Sequence, residues 1–354
     1  MITPQEPDPL HDDLRRAWHR YIDMLVPLRP GLYGYCRRLA GNVWDAEDLV
    51  QDTLLRAFGQ WGVTSPEIRD PRAYLLRTAT NVWIDTLRRR QTEARAPAAS
   101  VEEVLAPQAG AEANPEMSSD LRDAGSRLLQ RLSPQERAAL VLKEVFDMSL
   151  DEIAGVLATT TGAVKAALHR GRGRLAEPEG AAASHRPPPS AELLDRFIER
   201  YDAKDVQGLV ALMLDDASAE NVGNSFHIGL DPSEGIPRFL HKVVHGHAEW
   251  PPEFQFESAR MQRVDFEGEP VLLLLVTRRG REALQTVMRL EEQDGRIARL
   301  RAYGFCPETI RAIGEVLGVR VRTGIYRAPT PGPGAHWPDP DFPRRDDPPA
   351  SAGE

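Results

Sequence analysis

Basic side chains crowd one short segment of the chain: Lys165, His169, Arg170, Arg172 and Arg174, with Thr161 just ahead of them. A set of this kind makes and breaks no bonds. It neutralises phosphate and offers hydrogen-bond donors to base edges. A second cluster, Arg88-Arg89-Arg90, lies upstream. The residues able to move protons are elsewhere. Glu220, His227, Asp231, His241, His245 and His247 are candidate acid–base groups. His241 and His245 share a helix face by their spacing, which is the arrangement of a metal pair. No third carboxylate or cysteine stands at a ligand spacing from them. Their segment runs from a helix end into a loop, where solvated histidines are common. We therefore expect no catalytic residue, no metal site and no cofactor.

The elements that must position the first cluster are two short helices. Ser149 and Glu152 have the spacing of a capping box at the start of one. Thr160 caps the other. Ile153, Val156 and Leu157 pack against Val164 and Leu168, which turns Lys165, His169, Arg170, Arg172 and Arg174 outward. A capped helix with a basic outer face, reached through a tight turn, is the geometry that enters a DNA major groove. An ordinary helical hairpin with a solvated basic face is the alternative.

Two further helices precede it. In the run from Asp45 to Phe58, Leu49, Val50, Leu54, Ala57 and Phe58 form one apolar stripe, and Asp48, Gln51, Asp52 and Arg56 form a polar face. The run from Ala73 to Arg90 is amphipathic and ends in the three arginines, which suit the negative end of a helix dipole and a phosphate backbone alike.

These three segments, in this order and at these separations, resemble the extracytoplasmic-function (ECF) sigma factors of bacterial RNA polymerase. The resemblance covers residues 20–177. It implies that Asp48, Gln51, Asp52 and Arg56 hold the polymerase clamp. It implies that Asn81, Trp83, Arg88, Arg89 and Arg90, with the loop Gly62 to Asp70, melt and read the minus-ten element, the loop helping to capture an unstacked base. Trp83 is a stacking candidate, although an aromatic on an amphipathic helix is more often core. By the same resemblance, Thr161, Lys165, His169, Arg170 and Arg172 contact the minus-thirty-five element. Ala167 departs from the family, which usually carries a bulkier polar or basic residue there, and this leaves the promoter sequence open.

Composition fits a multidomain, soluble, cytoplasmic protein. A chain of 354 residues is long for one core. No apolar run approaches the roughly 20 residues needed to cross a bilayer. The acidic, proline-bearing run from Met1 to Asp13 does not read as a signal peptide. Cys36 and Cys306 lie far apart and read as buried hydrophobes. The net charge of −9 is unusual for a nucleic-acid binder. The cations are local, so duplex DNA should be bound weakly by this chain alone. That fits a subunit carried to DNA within a larger assembly better than a free-standing repressor.

Proline, alanine and acidic clusters mark boundaries. The expected organisation is an N-terminal tail, 1–18; a helical polymerase-binding and minus-ten region, 19–91; a flexible linker, 92–123; a helix-turn-helix region, 124–177; a second linker, 178–189; a further domain, 190–327; and a disordered tail, 328–354. In that further domain, helices are expected over Ala191 to Tyr201, Val206 to Leu214 and about Pro232 to Val244. Strands are expected over Glu253 to Glu257, Val271 to Val276, Ala283 to Leu290 and Ile297 to Tyr303. The last two are joined by Asp294-Gly295, a hairpin turn signal. This order resembles the α+β SnoaL-like cone domain, a curved sheet wrapped around helices that normally encloses an apolar pocket.

The expected fold class is therefore two all-α sigma regions, the second with a helix-turn-helix, followed by an α+β cone. The expected function is promoter-specific transcription initiation with core RNA polymerase, with the C-terminal domain regulating it in cis. Core polymerase and promoter DNA are the expected partners. A small ligand in the C-terminal domain and an anti-sigma protein are further candidates. Two other readings stay open: a ligand-responsive helix-turn-helix regulator, and a sigma factor whose C-terminal domain has its own enzymatic activity.

Overall fold

The computed structural model describes residues 17, 20–61, 70–95, 132–175, 188–232, 235–246, 255–322 and 325–326. The chain divides into two compact units, Met1–His185 and Arg186–Glu354. Most of the expected tails and linkers lie outside the described residues.

The first unit is helical. Helix α1 (Arg29–Ala40) stops at Gly41, whose φ of 91° a glycine adopts without steric cost. Asn42 then caps α2 (Val43–Trp61), its side-chain oxygen accepting from the Asp45 N–H at 2.8 Å. Helix α3 (Pro71–Arg95) runs past the expected boundary at 91. Val50, Leu54 and Ala57 form the buried stripe of α2. They belong to a core shared with Tyr35, Cys36 and Leu39 of α1 and Leu76, Ala79 and Val82 of α3. Several polar groups inside this core are paired. Arg29 and Glu47, 4% and 0% exposed, meet at 2.5 Å. The Tyr35 hydroxyl lies 2.7 Å from Thr80 Oγ1.

Helices α4 (Pro134–Glu144), α5 (Leu150–Val156) and α6 (Thr161–Leu175) complete this unit. The expected capping box at Ser149 forms, and a second forms at Ser133. Glu136 accepts from the Ser133 N–H at 3.0 Å, and Glu152 from the Ser149 N–H at 2.7 Å. Arg137 of α4 joins the two helical groups. Its guanidinium donates to the Leu39 carbonyl and lies 5.0 Å from the centroid of Trp83. Burial lowers its pKa to about 10, so it stays charged at neutral pH. Arg72 over Phe146, at 5.3 Å, adds a second contact of the same kind.

The second unit is a mixed sheet with helices. Helices α7 (Ala191–Asp202), α8 (Val206–Ala211) and α9 (Ile236–His245) pack on strands β1 (Met213–Asn221), β2 (Ser225–Ile228), β3 (Ser258–Phe266), β4 (Glu269–Arg278), β5 (Arg281–Gln293) and β6 (Arg296–Ala302). Helix α10 (Pro307–Leu317) follows. The strand order is β2-β1-β6-β5-β4-β3, with β1 and β6 parallel and every other pair antiparallel. Leu193, Leu194, Phe197 and Tyr201 form the buried stripe of α7. Leu272, Leu274 and Val276 of β4 join that core. Val271, Leu273 and Leu275 are buried as well, and alternation places them on the other face. Segment 320–322 runs beside Leu284 where β6 no longer does.

Three expectations need correction. The alternation from Glu253 to Glu257 predicts a strand, but residues 255–257 are not one, and β3 starts at Ser258. The Glu257 carboxylate accepts from the Arg279 and Gly280 N–H groups at 2.6 and 3.3 Å, so this residue caps the β4–β5 turn. The helix expected over Val206 to Leu214 stops at Ala211, and the chain enters β1 at Met213. The parallel partner β6, distant in sequence, supplies the hydrogen bonds that draw it out. The third expected helix starts at Ile236 rather than at Pro232. The Asp294-Gly295 hairpin forms as expected, with φ of 54° and 71° at the two turn residues.

Candidate nucleic-acid interface

Helix α6 carries the densest cation set, and the local sequence explains how it is presented. Thr160 Oγ1 accepts from the Ala163 N–H at 3.2 Å and fixes the helix start. Ile153, Val156, Val164 and Leu168 are buried between α5 and α6. The turn between them passes through Ala158 at φ 49°. Lys165 and His169 are exposed with no partner among the described residues. Thr161 is half-buried at the mouth of the turn. Ala167 is 5% exposed, so in this structure it packs inward.

Arg170 and Arg172 differ from Lys165 and His169. Arg170 Nε donates to Glu136 Oε1 at 3.0 Å. Glu136 is 2% exposed, and its other oxygen caps α4. Arg172 pairs with Glu144 at 2.6 Å. These two arginines therefore tie α6 to α4 while their guanidinium groups remain at the surface. Sequence spacing placed all four cations on one face. It gave no sign that two of them were held from behind.

The α3 set divides in the same way. Asn81, Arg88, Arg89 and Arg90 are exposed. Arg89 has no partner among the described residues, whereas Arg90 meets Asp45 at 3.3 Å and Arg88 meets Asp85 at 3.8 Å. Trp83 is 6% exposed under the Arg137 guanidinium, which is the placement of a core residue. The loop from Gly62, up to Asp70, lies outside the described residues.

On α2, Asp52 and Arg56 are exposed, and Asp48 and Gln51 are half-buried. Gln51 Nε2 donates to the buried Glu47 at 2.6 Å, and Arg56 meets Asp85 at 3.3 Å. Leu55 stands among them, 56% exposed. It was not among the sequence candidates. The signal was available: Leu55 falls off the stripe set by Val50, Leu54 and Ala57.

The acid–base candidates of the second unit are not assembled into a site. Glu220 is held by Arg299 and Arg301 at 3.0 and 2.9 Å. His227 lies 3.2 Å from Ser225 Oγ and stacks near Phe239. Asp231 is exposed. His241 and His245 stack with centroids 4.6 Å apart, and His247 lies outside the described residues. No group of three metal-ligating side chains is found among the described residues. No described helix is long and apolar enough to cross a membrane.

Residues 24–93 match the family described as Sigma-70 region 2, and residues 126–175 match Sigma-70, region 4. The chain is 33% identical over 216 residues to the ECF RNA polymerase sigma factor SigG of Mycobacterium tuberculosis, covering 54% of this chain and 58% of that one. It thus spans little more than half the length of that relative. It is 30% identical over 164 residues to the ECF RNA polymerase sigma factor SigW of Bacillus subtilis, covering 44% of this chain and 86% of that one. Among solved structures, the ECF sigma factor SigJ of Mycobacterium tuberculosis aligns at 23% identity and a TM-score of 0.31, over 82% of this chain and 98% of that one.

Proposed function

The chain belongs to the ECF family of RNA polymerase sigma factors, and from that premise we propose that it binds core RNA polymerase and directs promoter-specific transcription initiation in the cytoplasm. The observation that carries this reading is a coincidence of position. The two family matches, 24–93 and 126–175, fall on the helices that leave unpaired cations at the surface, Arg89 on α3 and Lys165 on α6.

The exposed side of α2 docks on the polymerase. Asp48, Gln51, Asp52 and Arg56 supply polar contacts there, and Leu55 supplies an apolar anchor. Asn81, Arg88, Arg89 and Arg90 engage the minus-ten element. Trp83 stacks on a base only if Arg137 first leaves its ring. On α6, Thr161, Lys165, His169, Arg170 and Arg172 face the minus-thirty-five element. Lys165 and His169 are free to read bases. Arg170 and Arg172, already held by Glu136 and Glu144, are suited to phosphates, which position a protein without specifying sequence. The net charge of −9 makes stable binding to duplex DNA dependent on the polymerase.

The second unit reads as a SnoaL-like cone that regulates initiation in cis. Covalent linkage holds two binding modules at roughly millimolar effective concentration.

Transcription of fragmented genomic DNA by purified core polymerase, with and without this chain, tests the reading. Mapped 5′ ends should reveal new start sites that share two spaced upstream elements. Unchanged start sites would refute it. Truncation after Glu177 should alter the output from those sites, and an unaltered output removes regulation in cis.

A further inference from the structure

The second unit holds a partly open cavity of about 260 Å³. That is just below the usual range of small-molecule sites, roughly 300–1,000 Å³. Its wall is mainly apolar and includes Phe239, Phe256, Leu274 and Met288. Four amide or hydroxyl side chains interrupt that wall, Asn221, Gln255, Gln285 and Thr286, and Lys242 and His245 line it as well.

Two features of these polar residues are unexpected in a plain core. Gln285 and Thr286 are neighbours in β5, and neighbours in a regular strand point to opposite faces. Here both line the same cavity. The cause is a β-bulge: Thr286 pairs with Leu274 and Leu284 with Leu275, so Gln285 is the extra residue. Bulges re-aim side chains and recur beside binding sites. The second feature is that the amide oxygens of Asn221 and Gln285 are buried without a hydrogen-bond partner. A buried unpaired acceptor is costly, and nearly all such groups in folded proteins are paired. Two in the wall of one cavity, one of them placed there by a bulge, mark a site that lacks its donor.

We propose that this cavity binds a small, mainly apolar molecule that carries a hydroxyl or N–H donor, recognised by the amide oxygens of Asn221 and Gln285. The aromatic and aliphatic wall accounts for affinity, and the donor accounts for selectivity. A site built to pair a donor discriminates strongly against an analogue of the same shape that lacks it, because its own polar groups are then left unpaired. The inference goes beyond the polymerase reading and stands independently of it.

Calorimetric titration of the full chain with two probes of matched shape tests the proposal: 2-naphthol, which donates, and 2-methoxynaphthalene, which does not. The titration contains neither polymerase nor DNA, so its failure is distinct from failure of the sigma-factor reading. We expect 2-naphthol to bind about tenfold more tightly, the effect of one hydrogen bond to an otherwise unpaired acceptor. Gln285→Leu and Asn221→Leu should each shrink that preference without weakening the methoxy probe. Gln285→Met serves the same purpose should a leucine variant fail to fold. Ala302→Phe, which fills the cavity, should abolish binding of both probes. Equal affinities for the two probes, a preference that survives loss of both amides, or no binding of either probe would overturn the proposal.

Discussion

The two units differ in where the polar groups that invite a partner lie. In the helical unit several buried charges are paired: Arg29 with Glu47, and Glu136 with Arg170 and the Ser133 N–H. Free cations such as Arg89, Lys165 and His169 lie outside. In the sheet unit Arg260 pairs with Glu282 at the surface, and Arg289 with Glu269 in a half-buried position. Its unpaired amide oxygens, on Asn221 and Gln285, lie inside. Paired polar groups hold a fold together, whereas unpaired ones await a partner. By that criterion the surface of the first unit suits the proposed macromolecular partners, and the cavity of the second suits the proposed small molecule.

The contrast breaks most visibly at a buried pair. Glu47→Ala should destabilise the helical unit by about 3–5 kcal/mol, because it leaves the Arg29 guanidinium buried without its counter-charge. Joint replacement by Glu47→Leu and Arg29→Met should recover most of that loss. Chemical denaturation of the full chain measures both. A small effect of the single change would mean that the pair is not a structural element.

A smaller effect separates the cations of α6. Lys165→Ala should cost about 1–3 kcal/mol at the cognate promoter and leave stability unchanged. Arg170→Ala should weaken promoter binding and also lower the melting temperature, since the buried Glu136 then loses its guanidinium partner. Footprinting and thermal melts on the same two variants sort reading from positioning. Identical melting behaviour would remove the distinction.

The smallest effect belongs to the outer face of the sheet. Arg260 and Glu282 meet at 2.7 Å with side chains 50% and 42% exposed. Glu282→Gln should change stability by no more than about 1 kcal/mol, because solvent screens such a pair. A larger loss on denaturation would give these surface pairs a structural weight that the comparison denies them.

Local signals carried much of this organisation in the sequence. Ser149 with Glu152, Ser133 with Glu136, and Asp294-Gly295 each specify a cap or turn within a few residues, and each forms. The stripe of α2 was readable because helical periodicity is also local. What could not be read depends on distant partners. Strand β1 begins Met213-Leu214-Asp215-Asp216, with no β-branched run to announce it, and it exists through pairing with β2 and β6. The Gln285 bulge follows from the register of β5 against β4, which no single segment encodes. Arg137 reads as a solvated cation, yet it is 8% exposed against Trp83 because the two helical groups meet there. Arg170 and Arg172 kept their expected surface placement but gained partners, Glu136 and Glu144, from another helix.

The central claim is that the exposed side of α2, with Asp52 and Leu55 at its surface, is the proposed polymerase-binding face. Equilibrium binding of the full chain to core RNA polymerase tests it most directly, comparing the native chain with one carrying Asp52→Ala and Leu55→Asp. The account predicts a stoichiometric complex for the native chain and at least a tenfold weaker one for the variant, about 1.4 kcal/mol, with unfolding free energies within about 0.5 kcal/mol of each other. Equal affinities, or no complex with the native chain at micromolar concentration, would contradict it.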